Sequence, residues 1–455
     1  MKKESINSIS QVKIKKRSFT QGLPVHNPNA AGIDVGDTKH DVAIRDDIGS
    51  FEVHEYGCFT ESLKAIVTWL VSKGITTVAM ESTGVYWLNL YLMLEEAGIE
   101  PYLVNAKHVK NVTGRKKDDT DAIWLQKLHS CGLLQKCFQP EATTRKLRTY
   151  VRQRRNLTRI SSDSVNRMQK AMELMNIKLH TVISQIIGKT GLQMVVAIIK
   201  GERDPEKLIA FKDPRIKAND DDIKKSLEGI WRDEYLFMLE QAYDEYLFYQ
   251  SQLKACDERI KDLLLAYSVK VHKGDIIEIK TPRKKKPKKN EFSFEIRSVL
   301  KAIVGVDLCK VEGINENSAL ELISEIGTDM SKWKSNKHFS AWLNVAPNTK
   351  ITGGKIISSK MQKKKNNAGQ TLRMSASSLS RSKTPLGDFS RKMKSRLGKK
   401  GGVIATAHKL ARIIYTMILY QQEFDTNIIA SEQEKWKMTK INYLEKQLKE
   451  LKKVA

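Results

Sequence analysis

Four carboxylates in the first third of the chain lie in surroundings that suggest chemistry. Asp34 lies inside the apolar segment GIDVG, and Glu81 follows the apolar run VAM. A carboxylate in such a segment costs free energy unless it is paired or binds a metal ion. Asp118 and Asp121 are three residues apart at the start of a predicted helix, TDAIWLQKLHSCGLL. That spacing places both on one face of the helix.

Brought together by strand ends and a neighbouring helix, these carboxylates would form an oxygen-rich cluster of the kind that binds Mg²⁺ or Mn²⁺. Two such ions about 4 Å apart can activate a nucleophile and stabilise the leaving oxygen of a phosphodiester. The structural alternatives are helix capping for Asp118 and Asp121, a capped turn for Asp34, and a salt bridge from Glu81 to Lys107 or Lys110.

The elements around the carboxylates predict an α/β domain over residues 30–139. Three short β-type runs (AGIDVG, DVAIRD and FEVHEY) precede a helical pattern, ESLKAIVTWLVSK, which Gly74 ends. The strand ITTVAMES, the helix VYWLNLYLMLEEAG and the strand IEPYLVN follow. Successive strands and then alternating helix and strand indicate a mixed sheet covered by helices.

The motif IDVGDTK has a second interpretation. It also resembles the first phosphate loop of actin-like and sugar-kinase ATPases, in which Asp-x-Gly-x-Thr binds ATP phosphates. The chain shows neither a second Asp-x-Gly loop at a suitable distance nor a clear adenosine-binding glycine pair. The nuclease-type interpretation is therefore favoured over the kinase.

Composition and charge narrow the class of protein. The 455 residues are 40% hydrophobic, and the five scattered cysteines contain no CxxC pair, so we expect a folded protein without a zinc knuckle or disulfide scaffold. No signal peptide is evident, and no apolar run approaches the roughly 20 residues of a membrane helix. The expected location is cytoplasmic. A net charge of +27 favours a nucleic-acid partner, with an anionic membrane surface as the alternative.

The middle of the chain predicts a long coiled-coil arm. Apolar residues repeat at spacings of three and four from Val165 to Ile186 and again from Leu239 to Tyr267. Each run of apolar residues forms a seam along one face of a helix. Two helices that double back on each other would bury both seams, as would the helices of a partner chain or a plain helical bundle. The predicted organisation is a flexible basic arm (1–29), the α/β domain (30–139), the coiled-coil arm (140–280), a Lys-rich linker (281–297), a mainly helical domain (298–425) and a helical tail (426–455).

The C-terminal domain combines a phosphate-binding motif with concentrated positive charge. The sequence VEGINENSALELI predicts a helix-hairpin-helix whose turn presents backbone N–H groups to DNA, although an ordinary helix–loop–helix would fit as well. Residues 331–420 contain 20 Lys or Arg and one acidic residue. The candidate nucleic-acid-binding residues are Gly313, Lys355, Lys363, Lys364, Lys365, Arg373, Lys399 and Lys400.

Four blocks of sequence resemble the DEDD-type insertion-sequence transposases, a family of bridge-RNA-guided recombinases. They are GIDVGDTKHDVAI, MESTGVYW, GRKKDDTDAIWLQKLHSCGLL and the stretch from VEGINENSALELISEIG to ATAHKLARIIYTMI. The resemblance implies an RNase H-like (RuvC-like) catalytic domain, a coiled-coil arm and a C-terminal transposase domain. It assigns the metal-binding tetrad to Asp34, Glu81, Asp118 and Asp121, with Mg²⁺ or Mn²⁺ as cofactor, and makes Asp119 the less favoured neighbour.

The family's nucleophilic serine corresponds to a threonine in this chain. The matching Ser-Gly pair is Thr352-Gly353, and the β-methyl group of threonine crowds its hydroxyl oxygen. Thr352 is the expected nucleophile, with Ser358 or Ser359 as substitutes and an inactive copy as the third alternative.

The resemblance implies an activity and a set of partners. The expected function is excision and insertion of the protein's own insertion sequence, through a hydroxyl-linked protein–DNA intermediate. The implied partners are element and target DNA, a structured guide RNA and further copies of the chain in a dimer or tetramer, with no membrane. The rival functions are a junction-selective hydrolytic endonuclease and a catalytically decayed nucleic-acid-binding protein.

Overall fold

The protein is represented by a computed structural model that describes residues 24–46, 50–82, 84–106, 109, 120–271, 291–292, 294–361 and 366–427, with scattered residues from 431 to 447. The chain forms two compact units, residues 1–139 and residues 140–455. Several predictions fall outside the described residues: most of the basic arm and of the Lys-rich linker, and those for Lys107, Lys110, Asp118, Asp119 and residues 363–365.

The first unit is built on a five-stranded mixed sheet with the strand order β3-β2-β1-β4-β5. β2 runs antiparallel to both β1 and β3, whereas β1, β4 and β5 are parallel. This is the mixed α/β arrangement that the sequence predicted. The strands are β1 (Ala30–Val35), β2 (Lys39–Arg45), β3 (Phe51–Gly57), β4 (Thr77–Glu81) and β5 (Glu100–Val104).

Helices cover both faces of this sheet. One face, which includes Ile33 and Met80, packs in a core with residues of α1 (Thr60–Ser72) and α2 (Trp87–Glu96). The other face packs against α3 (Asp121–Ser130). Because alternate residues of a strand point to opposite faces, the neighbours of Ile33 and Met80 point towards the side of α3.

The second unit begins with two long helices, α4 (Ala142–Leu174) and, later in the chain, α9 (Asp233–Val271). They run antiparallel, because the start of α4 contacts the end of α9: the hydroxyls of Thr144 and Tyr267 are 3.3 Å apart. Nearer the other end, Gln250 donates to the Ser161 hydroxyl at 2.9 Å. The helices thus double back on each other within one chain.

Four shorter helices connect the far ends of this pair. The predicted seam from Val165 to Ile186 is wrong as a single helix, because α4 ends at Leu174 and Asn176 has a left-handed backbone (φ 57°). The apolar residues after the break instead pack into a compact cluster with the connecting helices and the start of α9. The connecting helices are α5 (Leu179–Val182), α6 (Lys189–Ile199), α7 (Pro205–Ile209) and α8 (Asp220–Leu227).

The rest of the second unit is mainly helical, as the sequence predicted. Its only strands within the described residues form a two-stranded hairpin, and its long helix α14 is interrupted at Gly398 (φ 74°). The elements are α10 (Arg297–Val304), α11 (Glu316–Ile326), α12 (Asn336–Trp342), β6 (Lys350–Thr352), β7 (Lys355–Ser358), α13 (Asn367–Ser378) and α14 (Pro385–Tyr420).

One helix among the described residues, α14, is long and apolar enough to cross a membrane, a feature that the sequence inspection missed. Half of its most apolar window is buried inside the unit. Tyr415, for example, donates its hydroxyl to the carbonyl of Trp333 at 3.0 Å. Such burial is typical of a core helix, so no membrane protein is indicated.

Candidate active site

Asp34 and Glu81 lie side by side at the carboxyl ends of two neighbouring parallel strands. Ile33 of β1 pairs with Met80 of β4, so the next residue of each strand is the predicted carboxylate. Both carboxylates point to the face opposite the α1–α2 core, which is the face that α3 covers. Both residues are partly buried. The register thus brings two of the four predicted carboxylates to one edge of the sheet.

Helix α3 directs Asp121 towards the same edge. Its last turn lies at the amino ends of the strands, where His129 Nε2 is 2.9 Å from the hydroxyl of Thr77. Its first turn passes over Gly32, where an added Cβ would lie 2.3 Å from the Ala122 carbonyl oxygen. The first residue of the helix, Asp121, therefore extends towards the carboxyl ends of β1 and β4.

Asp121 does not cap this helix. The N-cap is Thr120, whose hydroxyl accepts from the Ile123 amide at 3.3 Å. Asp121 is exposed in the first turn, where a negative charge is favourable at the positive end of the helix dipole. The structure thus assigns the N-cap to Thr120 and leaves the Asp121 side chain exposed to solvent.

The side chains at this edge of the sheet offer carboxylate oxygens as metal ligands. The three described carboxylates supply only oxygen, which suits Mg²⁺ or Mn²⁺. Within the described part of the chain, however, no group of three or more His, Cys, Asp or Glu side chains is close enough to hold an ion. The strands β1 and β4 and the helix α3 direct the three carboxylates towards the same end of the sheet. The fourth predicted ligand, Asp118, lies outside the described residues.

Sequence inspection missed two further carboxylates in the same row. Asp41 on β2 lies opposite Asp34, and Glu55 on β3 lies opposite Asp41. Glu55, Asp41, Asp34 and Glu81 therefore occupy four adjacent strands on one face, and we call them the carboxylate row. The alternation of Lys39 and Asp41 with apolar residues in β2 is the signal that could have placed them on this face.

Lys39 interacts with the charges of the carboxylate row. Its ammonium group is 2.7 Å from Glu55 Oε2, and this bond, together with the charges of Asp41 and Asp34, raises the pKa of Lys39. Burial raises the pKa of Asp41, and the nearby charge of Lys39 only partly offsets that effect. The row thus concentrates negative charge that a cation would stabilise.

Thr352 lies at the tip of the hairpin β6–β7, in the second unit. It is the last residue of β6 and faces Lys355 across a two-glycine turn, Gly353-Gly354, in which both φ angles are positive. Glycine adopts this backbone without strain, as tight two-residue hairpin turns require. Thr352 is exposed, and Ser358 is half-buried at the end of β7. The turn thus presents the threonine hydroxyl to solvent.

The predicted nucleic-acid-binding residues have different environments. Lys355, Lys399 and Lys400 are exposed. Arg373 already donates hydrogen bonds within the protein, to the Asn344 carbonyl at 3.3 Å and to the Gln370 side chain. Burial lowers the pKa of Arg373. A phosphate would have to share its guanidinium with these partners.

Gly313 is itself exposed, but a side chain added at this position would point towards α13. Its φ is 84°, and an added Cβ would lie 3.1 Å from the Ser375 carbonyl oxygen of α13. Asn315 caps the following helix α11 by accepting from the Ser318 amide at 2.9 Å. The glycine therefore permits a close approach between the turn before α11 and α13. A phosphate-binding role for this turn stays a prediction.

Glu325 joins the long helix α4 to the C-terminal helices, a role that sequence reasoning missed. The carboxylate is nearly buried on α11 and accepts two bonds from Arg152, at 2.7 and 2.9 Å. Asn367, the first residue of α13, donates to the same carboxylate at 3.0 Å. Burial opposes the ionisation of Glu325, but the bonds from Arg152 and the charge of Arg148 outweigh it and lower the pKa. This buried anion fixes the start of α13.

Two protein-family models match the chain. A DEDD transposase model of the IS110 type covers residues 31–177, and a model described as the transposase IS116/IS110/IS902 family covers residues 307–390. No curated protein matches. The mixed sheet with its carboxylates, followed by the mainly helical C-terminal part, thus belongs to a transposase, a DNA-acting enzyme. More narrowly, the chain is a member of the DEDD-type IS110 transposase family.

Proposed function

We propose that this transposase is a site-specific recombinase that excises and inserts its own insertion sequence by Mg²⁺-dependent cleavage and rejoining of DNA. The observation that carries the proposal is the register of β1 and β4, which places Asp34 and Glu81 side by side at the strand ends. Helix α3 adds Asp121 from the same face. Family membership supports the DNA substrate.

The residues proposed to hold the metal are Asp34, Glu81 and Asp121, with Asp118 as the fourth ligand. Divalent ions bound there would supply Lewis-acid stabilisation of the reacting phosphodiester. The partly buried positions of Asp34 and Glu81 limit competition from water, and the exposed position of Asp121 leaves an approach for DNA.

The proposed nucleophile is the hydroxyl of Thr352. Its oxygen forms a bond to the phosphorus atom as the bond from phosphorus to the 3′ oxygen breaks; the hydroxyl loses its proton, and the 3′ oxygen gains one. The reverse reaction, with a 3′ hydroxyl of the recombining strand, frees the threonine without net hydrolysis. The exposed glycine turn supports this role, because it lets a phosphate approach despite the threonine methyl group.

The proposed partners follow from charge and from the family. A structured RNA encoded by the element would select both DNA sites by base pairing, while the protein contacts backbone and shape. The net charge of +27 suits two nucleic-acid partners. We propose that the protein acts in the cytoplasm as a dimer or tetramer.

The test is a denaturing gel that detects a covalent protein–DNA adduct. The protein is mixed with junction DNA of its element, RNA transcribed from the flank, and Mg²⁺. We expect an adduct that Asp34→Ala, Asp118→Ala and Thr352→Ala abolish and Thr352→Ser retains. Glu61→Gln, an exposed carboxylate in the first turn of α1, is the matched control and should keep the adduct.

Other outcomes select the rival functions. Cut DNA without an adduct, unchanged by Thr352→Ala, would identify a hydrolytic junction endonuclease. An adduct that survives Thr352→Ala but not Ser358→Ala would move the nucleophile to β7. Intact binding without cleavage or adduct, in Mg²⁺ and in Mn²⁺, would identify a decayed nucleic-acid-binding protein.

A further inference from the structure

The hairpin β6–β7 carries three isoleucines that lie largely in solvent. The exposed fractions are 61% for Ile351, 66% for Ile356 and 68% for Ile357. An isolated two-stranded hairpin is only marginally stable in water, and clustered exposed apolar residues mark interaction surfaces. A binding partner that covers these side chains is therefore expected.

The two faces of the hairpin carry different chemistry. Ile351 lies opposite Ile356, so these side chains share one face, which we call the isoleucine pair. Thr352 lies opposite Lys355 on the other face, next to the turn. One residue along β6 therefore separates an apolar surface from the proposed nucleophile and a lysine.

The charge around the hairpin indicates the nature of the partner. No acidic residue occurs in the sequence between Asp329 and Asp388, and the described hairpin region carries Lys350, Lys355 and Lys360. An apolar patch whose charged neighbours along the sequence are all cations matches DNA, in which flat apolar bases are flanked by phosphates. Proteins that distort DNA commonly insert Ile, Leu or Phe side chains at a base step and unstack it.

We propose that the hairpin enters the DNA at the cleaved step, where the isoleucine pair packs against an unstacked flanking base. Lys355 and Thr352 then meet the phosphate on the other face. This inference rests on the proposed function, because it assigns the hairpin to the reacting phosphodiester. The rigid one-residue offset between Ile351 and Thr352 would fix the hydroxyl relative to the displaced base.

The test uses 2-aminopurine placed beside the cleaved phosphate in the junction DNA, because its fluorescence rises when the base unstacks. The full chain carries Asp118→Ala so that the DNA stays intact, and flank RNA is present. We expect a rise on binding that the double variant Ile351→Thr/Ile356→Thr largely loses while it still binds DNA. Threonine keeps the β-branch that suits a strand.

Ile230→Thr is the matched control, since it makes the same change at an isoleucine that is 63% exposed outside the hairpin, and it should keep the rise. Full fluorescence in the double variant would overturn the proposal. So would a loss of fluorescence accompanied by a smaller particle mass in light scattering, because the pair would then be a contact between copies of the chain. An adduct in the wild-type protein without any rise would refute the inference and leave the proposed function intact. A fluorescence rise without an adduct would support the inference and contradict the proposed function.

Discussion

Asp34 of β1 and Asp41 of β2 lie directly opposite each other in an antiparallel pair. Like charges in this position oppose sheet formation, by roughly 0.2–1 kcal/mol for a cross-strand pair. The row extends to Glu55 on one side and Glu81 on the other, and Lys39 pairs with Glu55. A cation bound at the metal site proposed above would offset this repulsion.

The first prediction is that Asp41→Asn stabilises the metal-free protein and weakens its response to metal. Removal of one like charge should raise the free energy of unfolding by about 0.5 kcal/mol without divalent ions. The variant should also gain less thermal stability than the wild type when Mn²⁺ is added. Calorimetry of the full chain with and without Mn²⁺ measures both effects. Glu55→Gln is the control, because it removes a carboxylate that Lys39 already pairs; an equal gain there would contradict the explanation.

The second prediction concerns the contact between β1 and α3 at Gly32. A Cβ at this position would lie 2.3 Å from the Ala122 carbonyl oxygen and 2.3 Å from the Gln126 amide nitrogen. Gly32→Ala must therefore push α3 away from the sheet, at a cost of about 1–3 kcal/mol, and move Asp121 with it. We expect loss of adduct formation and faster hydrogen exchange in α3.

Gly57→Ala in β3 is the control for this experiment. The nearest atom to its added Cβ is the Ser62 hydroxyl at 3.2 Å, a side chain that can move. Adduct formation should persist. Normal exchange and activity in Gly32→Ala would show that the position of α3 does not determine the site.

The sequence was informative where local pattern and packing agree. The strands around Asp34 and Glu81 combine apolar runs with turn residues, so Asp34 could be placed inside a strand and Glu81 at a strand end in advance. Their adjacency depends on the parallel pairing of β1 with β4, which is a long-range contact that no local pattern encodes. Asp41 was missed for the same reason, because its partner lies on another strand.

In the helical arm, by contrast, a clear helical spacing of apolar residues predicted a helix that continues too far. Met168, Met172 and Ile186 share one helical period, but α4 ends at Leu174, and Ile186 packs against the cluster from beyond the end of that helix. A three-and-four spacing identifies a buried helical face and does not state whether the next turn continues the same helix. The left-handed residue Asn176, which redirects the chain, carries too weak a signal to predict the break.

The third prediction concerns the buried ion pair that joins α4 to α9. Arg154 and Asp257 are each about 10% exposed as side chains, and Arg154 also lies 3.8 Å from the ring centroid of Phe292. Burial raises the pKa of Asp257 although the arginine opposes this. Asp257→Leu alone removes the buried carboxylate that pairs with Arg154 and should cost about 3–5 kcal/mol. Arg154→Met/Asp257→Leu together should be within about 1 kcal/mol of the wild type.

Calorimetric unfolding of the single and double variants measures this coupling. The exposed pair Arg159 and Asp163, four residues apart on α4, is the control. Its removal should change stability by no more than about 0.5 kcal/mol. A double variant as unstable as Asp257→Leu alone would show that packing around the pair, and not the charge left without this carboxylate, causes the loss.

The fourth prediction is a pH dependence that originates at His129, on the face of α3 against the sheet. The Thr77 hydroxyl donates to the Glu100 carbonyl at 3.0 Å, so it must accept from His129 Nε2, 2.9 Å away. Burial lowers the pKa of His129 to about 4, and the charge of Lys136 contributes in the same direction against that of Glu100. The folded protein therefore holds this imidazole neutral, with its proton on Nε2.

The sign of the effect follows from proton binding. In the unfolded chain the imidazole has a pKa of about 6.5, so the unfolded state binds a proton below that pH. The folded state binds this proton only near pH 4, because its imidazole has the lower pKa. The stability is complete above pH 6.5 and falls as the pH drops through this window, by about 2 kcal/mol at pH 5. His129→Gln, which keeps a donor towards Thr77, should unfold with a shallower dependence between pH 7 and pH 5. Stability curves that run parallel for the two proteins would show that His129 is not the residue responsible.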